Sequence, residues 1–275
     1  MFGTIGRSYR LVLESFNILR KDKEMMLFPV FSGIVGILVL ISFILPLFFT
    51  GILGGDGAVG EALYYMVIFL YYLASYFVIV FFNVGLVYCA RKRLKGQDPT
   101  FMDGINAAFS NLGKIFAWAL ISATVGMILR ALSRRSGIVG RIIISLIGMA
   151  WTLLTFFVVP VMIFEGKGVM ESISKSGSLF KKTWGENVIG QFQMGLIFFI
   201  LSLFGLIFPV IGVLTGNIIL IAVAVAVMVL YWVILGIVSS SLDGIFKTAL
   251  YEYATTGVVP AGYSEDVIRN AYRTK

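Results

Sequence analysis

The sequence predicts an all-α fold, a polytopic transmembrane bundle of six spans with amphipathic helices lying along the cytoplasmic interface. Three observations predict it. The 22 Lys/Arg and 14 Asp/Glu residues all fall outside five uncharged runs, at 25–55, 62–90, 115–129, 142–164 and 187–242, and about 20 apolar residues are enough to cross a bilayer core as a helix. Mean hydropathy is +0.97 with 59% of residues hydrophobic, well outside the usual composition of soluble domains. Basic residues are also divided very unequally between alternate loops.

The first 24 residues, MFGTIGRSYRLVLESFNILRKDKE, carry five basic side chains and no short apolar run followed by a small-residue cleavage site. They do not read as a signal peptide, and the first span is expected to stay as an anchor. An interfacial helix is expected at about 4–22, then a span at 26–49. The glycine-rich GILGGDG at 51–57 lacks the Gly-Lys-Ser/Thr ending of a phosphate loop and reads as a hairpin connection. A second span follows at 64–89. Residues 99–112 form the clearest surface helix, with Phe101, Ile105, Ala108, Phe109 and Leu112 on one face and Asp98-Pro99 as cap and first-turn proline.

The third span, 113–131, is the weak one. Its 15 uncharged residues reach only about 22 Å across a core roughly 30 Å thick, so Lys114 and Arg130 must extend outward to complete it. The fourth span is expected at 141–163. A third surface helix at 168–184 places Val169, Ile173, Phe180 and Trp184 together. The run 187–242 is too long for one helix, and Pro209, Gly212 and Thr215-Gly216-Asn217 divide it into spans at 188–209 and 216–240. A fourth interfacial stretch at 243–254 ends a single membrane domain, 1–256. Residues 257–275, with Pro260 and Gly262, read as a loosely held polar tail in the cytoplasm.

Eighteen of the 22 basic residues collect on one side of this arrangement and four, Arg130, Arg134, Arg135 and Arg141, on the other. Cytoplasmic loops carry the Lys/Arg excess, so both termini are expected in the cytoplasm. The surface segments also align with one another: Val12, Ile105 and Ile173; Ser15, Ala108 and Ser176; Leu19, Leu112 and Phe180; Lys21, Lys114 and Lys182. A surface helix plus a two-span hairpin repeated three times would explain the match. Convergence of amphipathic helices on one pattern is the competing explanation.

Few residues offer chemistry. There is no His, and Cys89 is alone, so an intramolecular disulfide and the commonest metal ligand and general base are absent. No charged residue lies at mid-span, and paired intramembrane acids, a His-Glu-x-x-His helix or a serine with a base are all lacking. The expectation is a protein without enzymatic activity, cofactor or metal. The Arg130, Arg134, Arg135 and Arg141 group is a candidate contact for anionic lipid or a phosphate-bearing ligand, against the plainer reading of arginines reaching outward from two short spans. Asn83, Gln191 and Gln193 are candidate intramembrane polar contacts, able to line a cavity or bond helix to helix. The surplus of +8 follows the orientation rule and the negative inner leaflet and does not point to nucleic acid.

Four stretches, SFNILRKDKEMMLFPVFSG at 15–33, WALISATVGMILRALSRRSGIVGR at 118–141, TFFVVPVMIFEGKG at 155–168 and SLFKKTWGENVIG at 178–190, resemble an uncharacterised prokaryotic family of integral membrane proteins, domain of unknown function 6159. The resemblance implies a multi-pass protein of a prokaryotic plasma membrane and transfers no catalytic or binding residue. The expected role is a membrane-organising or interaction component that contacts anionic lipid headgroups at the cytoplasmic face, with protein partners and self-association left open. The rival is a permease or channel for a small neutral or lipophilic solute.

Overall fold

The computed structural model describes the backbone of residues 2–50, 58–182 and 184–265, with side chains at 10–46, 63–181 and 194–265. Among the described residues all regular structure is helical. The order is α1 (Phe2–Lys21), a 3₁₀ turn (Lys23–Met26), α2 (Leu27–Thr50), α3 (Ala58–Leu94), α4 (Phe101–Phe109), α5 (Leu112–Arg135), α6 (Ile138–Leu154), α7 (Val158–Phe164), α8 (Val169–Lys182), α9 (Trp184–Phe204), α10 (Ile207–Leu214) and α11 (Ile218–Thr256). Among the described residues six stretches are long and apolar enough to cross a membrane: Lys23–Pro46, Leu63–Leu94, Leu112–Arg135, Ile138–Phe164, Met194–Leu214 and Ile218–Thr256.

Several boundaries differ from the sequence expectation, each for a local reason. The 24 residues of α5 rise about 36 Å, enough for a full crossing, because Lys114 and Arg130 sit inside its end turns rather than beyond them. The fourth crossing is broken at 155–157 and restarts as α7. Pro160 has no N–H to give the Phe156 carbonyl, and as the third residue of a new helix it lacks only a donor that would be unpaired in any case. Pro209 does the same in α10, so residues 207–214, partly expected as a loop, continue the fifth crossing. The hairpin turn is Thr215–Asn217, with Gly216 at φ 64 and the Asn217 side chain accepting from the Ile219 N–H at 2.9 Å.

The last helix, α11, runs 39 residues, about 58 Å, which exceeds a bilayer core. The stretch 243–254, expected as a separate surface helix, is its continuation, since no proline lies between 218 and 256. The helix ends on left-handed Gly257, φ 71, whose N–H returns to the Tyr253 carbonyl at 2.8 Å.

The chain forms two compact units. The first comprises residues 27–89 and 100–181. Its core joins Val80, Val84, Ala108, Ile115, Trp118, Val158 and Met162, with Phe81 and Trp151 packed against it. Phe28 is 1% exposed and wedges between two glycines. A Cβ at Gly85 or Gly104 would overlap its ring, and one at Gly104 would also stand 2.7 Å from the Gly85 carbonyl oxygen. Both positions therefore let α3 and α4 cross closely. The Phe28 and Phe101 rings pack at 4.8 Å between centroids.

The second unit comprises residues 1–26, 90–99 and 182–275. Here α1 packs on α11 and α9, burying Leu11, Ser15, Ile18 and Leu19. Buried residues of α11 lie between Ser241 and Glu252, whereas its span from 218 to 240 has no buried residue. Close to the α9–α10 break, Tyr231 Oη donates to the Leu201 carbonyl at 2.7 Å and Trp232 Nε1 to the Ser202 carbonyl at 3.0 Å. The Gly205 N–H goes to the Ser202 carbonyl at 3.1 Å instead of to Leu201, and α11 supplies the Leu201 carbonyl with a donor and Ser202 with a second one.

Two outcomes test this packing. Gly104→Ala should cost about 1–3 kcal/mol through overpacking, while Gly36→Ala, where nothing lies within 4 Å of an added Cβ, should be neutral or slightly stabilising, both read by thermal unfolding in detergent. Tyr231→Phe should cost about 1 kcal/mol in the same assay, because it strips a carbonyl of its partner inside an apolar region.

Candidate functional site

The described ionisable side chains concentrate at the helix ends where Lys and Arg are abundant, and the second unit holds the densest group. Arg93, at the end of α3, donates through Nε and Nη2 to Asp22 Oδ2 at 3.3 and 3.2 Å, and its Nη2 also reaches Asp98. Asp22 is only 6% exposed. Burial raises its carboxyl above the ordinary 3.8, and the Arg93 charge and hydrogen bond pull it back in part. One turn earlier, Arg91 Nε pairs with Glu252 Oε1 at 2.5 Å, joining α3 to the buried end of α11.

Residues 258–265 are held, contrary to the expectation of a loose tail from 257. Ser15 Oγ and Tyr263 Oη share a hydrogen bond of 2.7 Å, and Ser264 donates through N and Oγ to Glu14 at 3.2 and 2.8 Å. Pro260 and left-handed Gly262, φ 94, turn the chain back so that Tyr263, 8% exposed, seats on α1. Burial pushes the Tyr263 hydroxyl well above its ordinary value of 10.0, so it stays protonated as a hydrogen-bonding group. Residues 266–275 lie outside the described residues.

In the first unit, Lys114 does not extend outward. Its Nζ donates to the Gly166 carbonyl at 2.8 Å and the Met162 carbonyl at 3.4 Å, closing the C-terminal end of α7. Lys167 pairs with Glu171 at 2.6 Å and Glu165 at 3.8 Å, and the Glu171 hydrogen bond raises its pKa. The cap of α4 is Thr100 rather than Asp98-Pro99. Thr100 Oγ1 accepts from the Asp103 N–H at 3.2 Å and Asp103 Oδ2 from the Thr100 N–H at 3.0 Å, a capping box that leaves Asp98 to Arg93. Lys247 pairs with Asp243 one turn away on α11 at 2.7 Å.

The four arginines expected to act together are placed differently from one another. Arg130 bonds the Tyr72 hydroxyl and lies 5.8 Å over that ring. Arg141 Nε donates to the Ser136 carbonyl at 3.3 Å. Arg134 and Arg135 are exposed at the end of α5. Asn83 is half-buried on α3, and the side chains of Gln191 and Gln193 on α9 lie outside the described ones. Among the described residues no group of three or more His, Cys, Asp or Glu is arranged to hold a metal ion.

A family model described as a family of unknown function, DUF6159, matches residues 62–261, more than half of the chain. The chain belongs to the DUF6159 family. No curated protein matches it. The matched region of this DUF6159 protein runs from α3 to the turn at Pro260. It contains Arg91, Arg93, Lys114 and Glu252, and leaves Asp22 and Ser15 outside.

The sequence did not signal the Asp22–Arg93 and Ser15–Tyr263 contacts, whose partners stand 71 and 248 positions apart. Arg93→Ala should be the more damaging change at the first of them. It abandons a buried carboxylate at a cost of about 3 kcal/mol near neutral pH, whereas Asp22→Asn should cost less than about 1 kcal/mol. Because the folded chain binds the Asp22 proton more tightly than the unfolded chain, the stability from that proton is complete below pH 3.8 and fades as pH climbs through the raised value. Asp22→Asn should flatten the melting temperature over that interval.

Proposed function

We propose that this DUF6159 protein is a multi-pass integral protein of a prokaryotic plasma membrane, with both termini cytoplasmic and no enzymatic activity. It acts as a membrane-organising or interaction component that engages anionic lipid headgroups through its basic surface helices α1 and α8.

One observation carries this reading. The described carboxylates have partners of their own, while several basic side chains of α1 and α8 stand open. Asp22 and Asp98 hold Arg93, Glu252 holds Arg91, Glu165 and Glu171 hold Lys167, Asp243 holds Lys247, Asp103 caps α4 and Glu14 holds Ser264. Arg10, Arg20, Lys21 and Lys181 are exposed, without a hydrogen bond or ion pair among the described residues. Acids locked into structural pairs are poorly placed for general acid-base work, and open cations along an interface attract anionic headgroups at about 1 kcal/mol each.

The aligned positions Ser15, Ala108 and Ser176 are all 0% exposed, which supports a shared seating of the three surface helices on span ends.

Lipids co-purified in mild detergent should be enriched in phosphatidylglycerol and cardiolipin over the source membrane, and the enrichment should decline with added salt. Retention of zwitterionic lipid alone would remove the support for the role. Since Cys89 is 1% exposed, single cysteines introduced as Lys181→Cys and Arg134→Cys should label from opposite faces of intact cells, and labelling from one face would overturn the orientation.

A further inference from the structure

We infer that α1 and the Pro260–Gly262 turn form a defined site for the phosphate of an anionic glycerophospholipid. Resting on the lipid-contacting reading above, this assigns one position rather than a diffuse basic surface.

A cavity of about 500 Å³ opens there, lined by Asn17, Ile18, Arg20, Lys21 and Gly262, within the range of roughly 300–1,000 Å³ common for small-ligand sites. Asn17, Arg20 and Lys21 stand at i, i+3 and i+4, so one face of α1 presents an amide donor, a planar guanidinium and an ammonium together. An Arg fork and a Lys point charge complement phosphate oxygens, and the amide adds a neutral donor. All three side chains are exposed and have no hydrogen bond or ion pair among the described residues.

The opposite wall is short of side chain by necessity. A Cβ at Gly262 would come 3.0 Å from Ile18 Cγ1, and the residue already sits at φ 94. Ile18, 3% exposed, closes the floor. Glu14, one turn back on α1, is held by Ser264 at 2.8 Å, and Asp22, next to Lys21 in the chain, is held by Arg93 at 3.2 Å.

The neighbouring stripe of α1 selects a lipid over a soluble phosphate. Leu13 and Phe16 are each 38% exposed. With Arg20 they follow i, i+3, i+7 spacing, which places apolar surface directly beside the donors. A headgroup phosphate in the cavity would leave its glycerol and first acyl carbons against Leu13 and Phe16.

The test uses the full chain in nanodiscs of phosphatidylcholine with titrated phosphatidylglycerol, with bound lipid counted by native mass spectrometry. Arg20→Gln with Lys21→Gln should weaken phosphatidylglycerol retention roughly tenfold or more, since two cations near the headgroup are lost. Lys23→Gln with Lys95→Gln removes the same net charge outside the cavity and should cost less than about threefold. Equal losses in the two variants would overturn the defined site while leaving the general lipid role standing. No preference for phosphatidylglycerol in the parent chain would overturn both. Inorganic phosphate should neither displace the lipid nor raise the melting temperature, and stabilisation by it equal to that by phosphatidylglycerol would reassign the cavity to a free phosphate. Melting temperatures of both variants should match the parent because the substituted side chains are at the surface, and a large drop in Arg20→Gln with Lys21→Gln would instead make them structural and overturn the assignment.

Discussion

Every peptide group in an apolar solvent needs a partner from within the protein, and the arrangement of this chain follows from that requirement. Unbroken helices meet it on their own, as α11 does over 39 residues without a proline. Where proline interrupts a crossing, groups are released and side chains elsewhere take them up. Before α7, the Phe157 N–H finds Ser176 Oγ at 2.9 Å. Before α10, Tyr231 and Trp232 reach the Leu201 and Ser202 carbonyls. After α7, Lys114 closes the Met162 and Gly166 carbonyls. Each repair also ties one helix to another, so backbone satisfaction and tertiary attachment are achieved by the same bonds.

Burial follows a second division, along the length of the helices. The ends near the basic segments are packed: Val84, Leu86, Val87 and Ala90 on α3, Val158, Val161 and Met162 on α7 and Leu242, Ile245, Phe246 and Leu250 on α11 are almost wholly covered. Farther along, Ile34, Ile37, Leu38 and Ile41 on α2 and Ile142, Ile143 and Leu146 on α6 are exposed. Leucine and isoleucine gain nothing from leaving hydrocarbon for one another, so such surfaces rest against lipid at little cost. Packing concentrates instead where small residues allow close approach, as at Gly85 and Gly104, and where charged groups leave the bilayer and find partners.

The fold was legible because charge placement and run length are one-dimensional properties. Six candidate crossings and helices over most of 4–22, 99–112 and 168–184 could be read from them. The helix breaks were harder, since a proline near a span end can either terminate a helix or sit harmlessly in the first turn of the next. Pro209 took the second course and moved the turn several residues later. Lys114 was misread because outward extension is the default for a lysine at a span end, and nothing local announces free carbonyls 48 and 52 residues away. The arginines at 130, 134, 135 and 141 shared a loop in sequence, but helix geometry sends Arg130 to Tyr72 and Arg141 to its own turn. The basic cavity beside α1 depends on a return of the chain at Gly262 that the spacing of residues 10–24 could not disclose.

The bond between Ser15 and Tyr263 spans 248 positions, and this has a consequence for biogenesis. Helix α1 leaves the ribosome well before its packing partners and cannot take its final seat until α9, α11 and residues 258–265 have followed. Through most of synthesis α1 must wait at the membrane surface, with Leu11, Ile18 and Leu19 uncovered. Its amphipathic character, which the finished protein uses only on one face, is what the nascent chain requires to remain parked there.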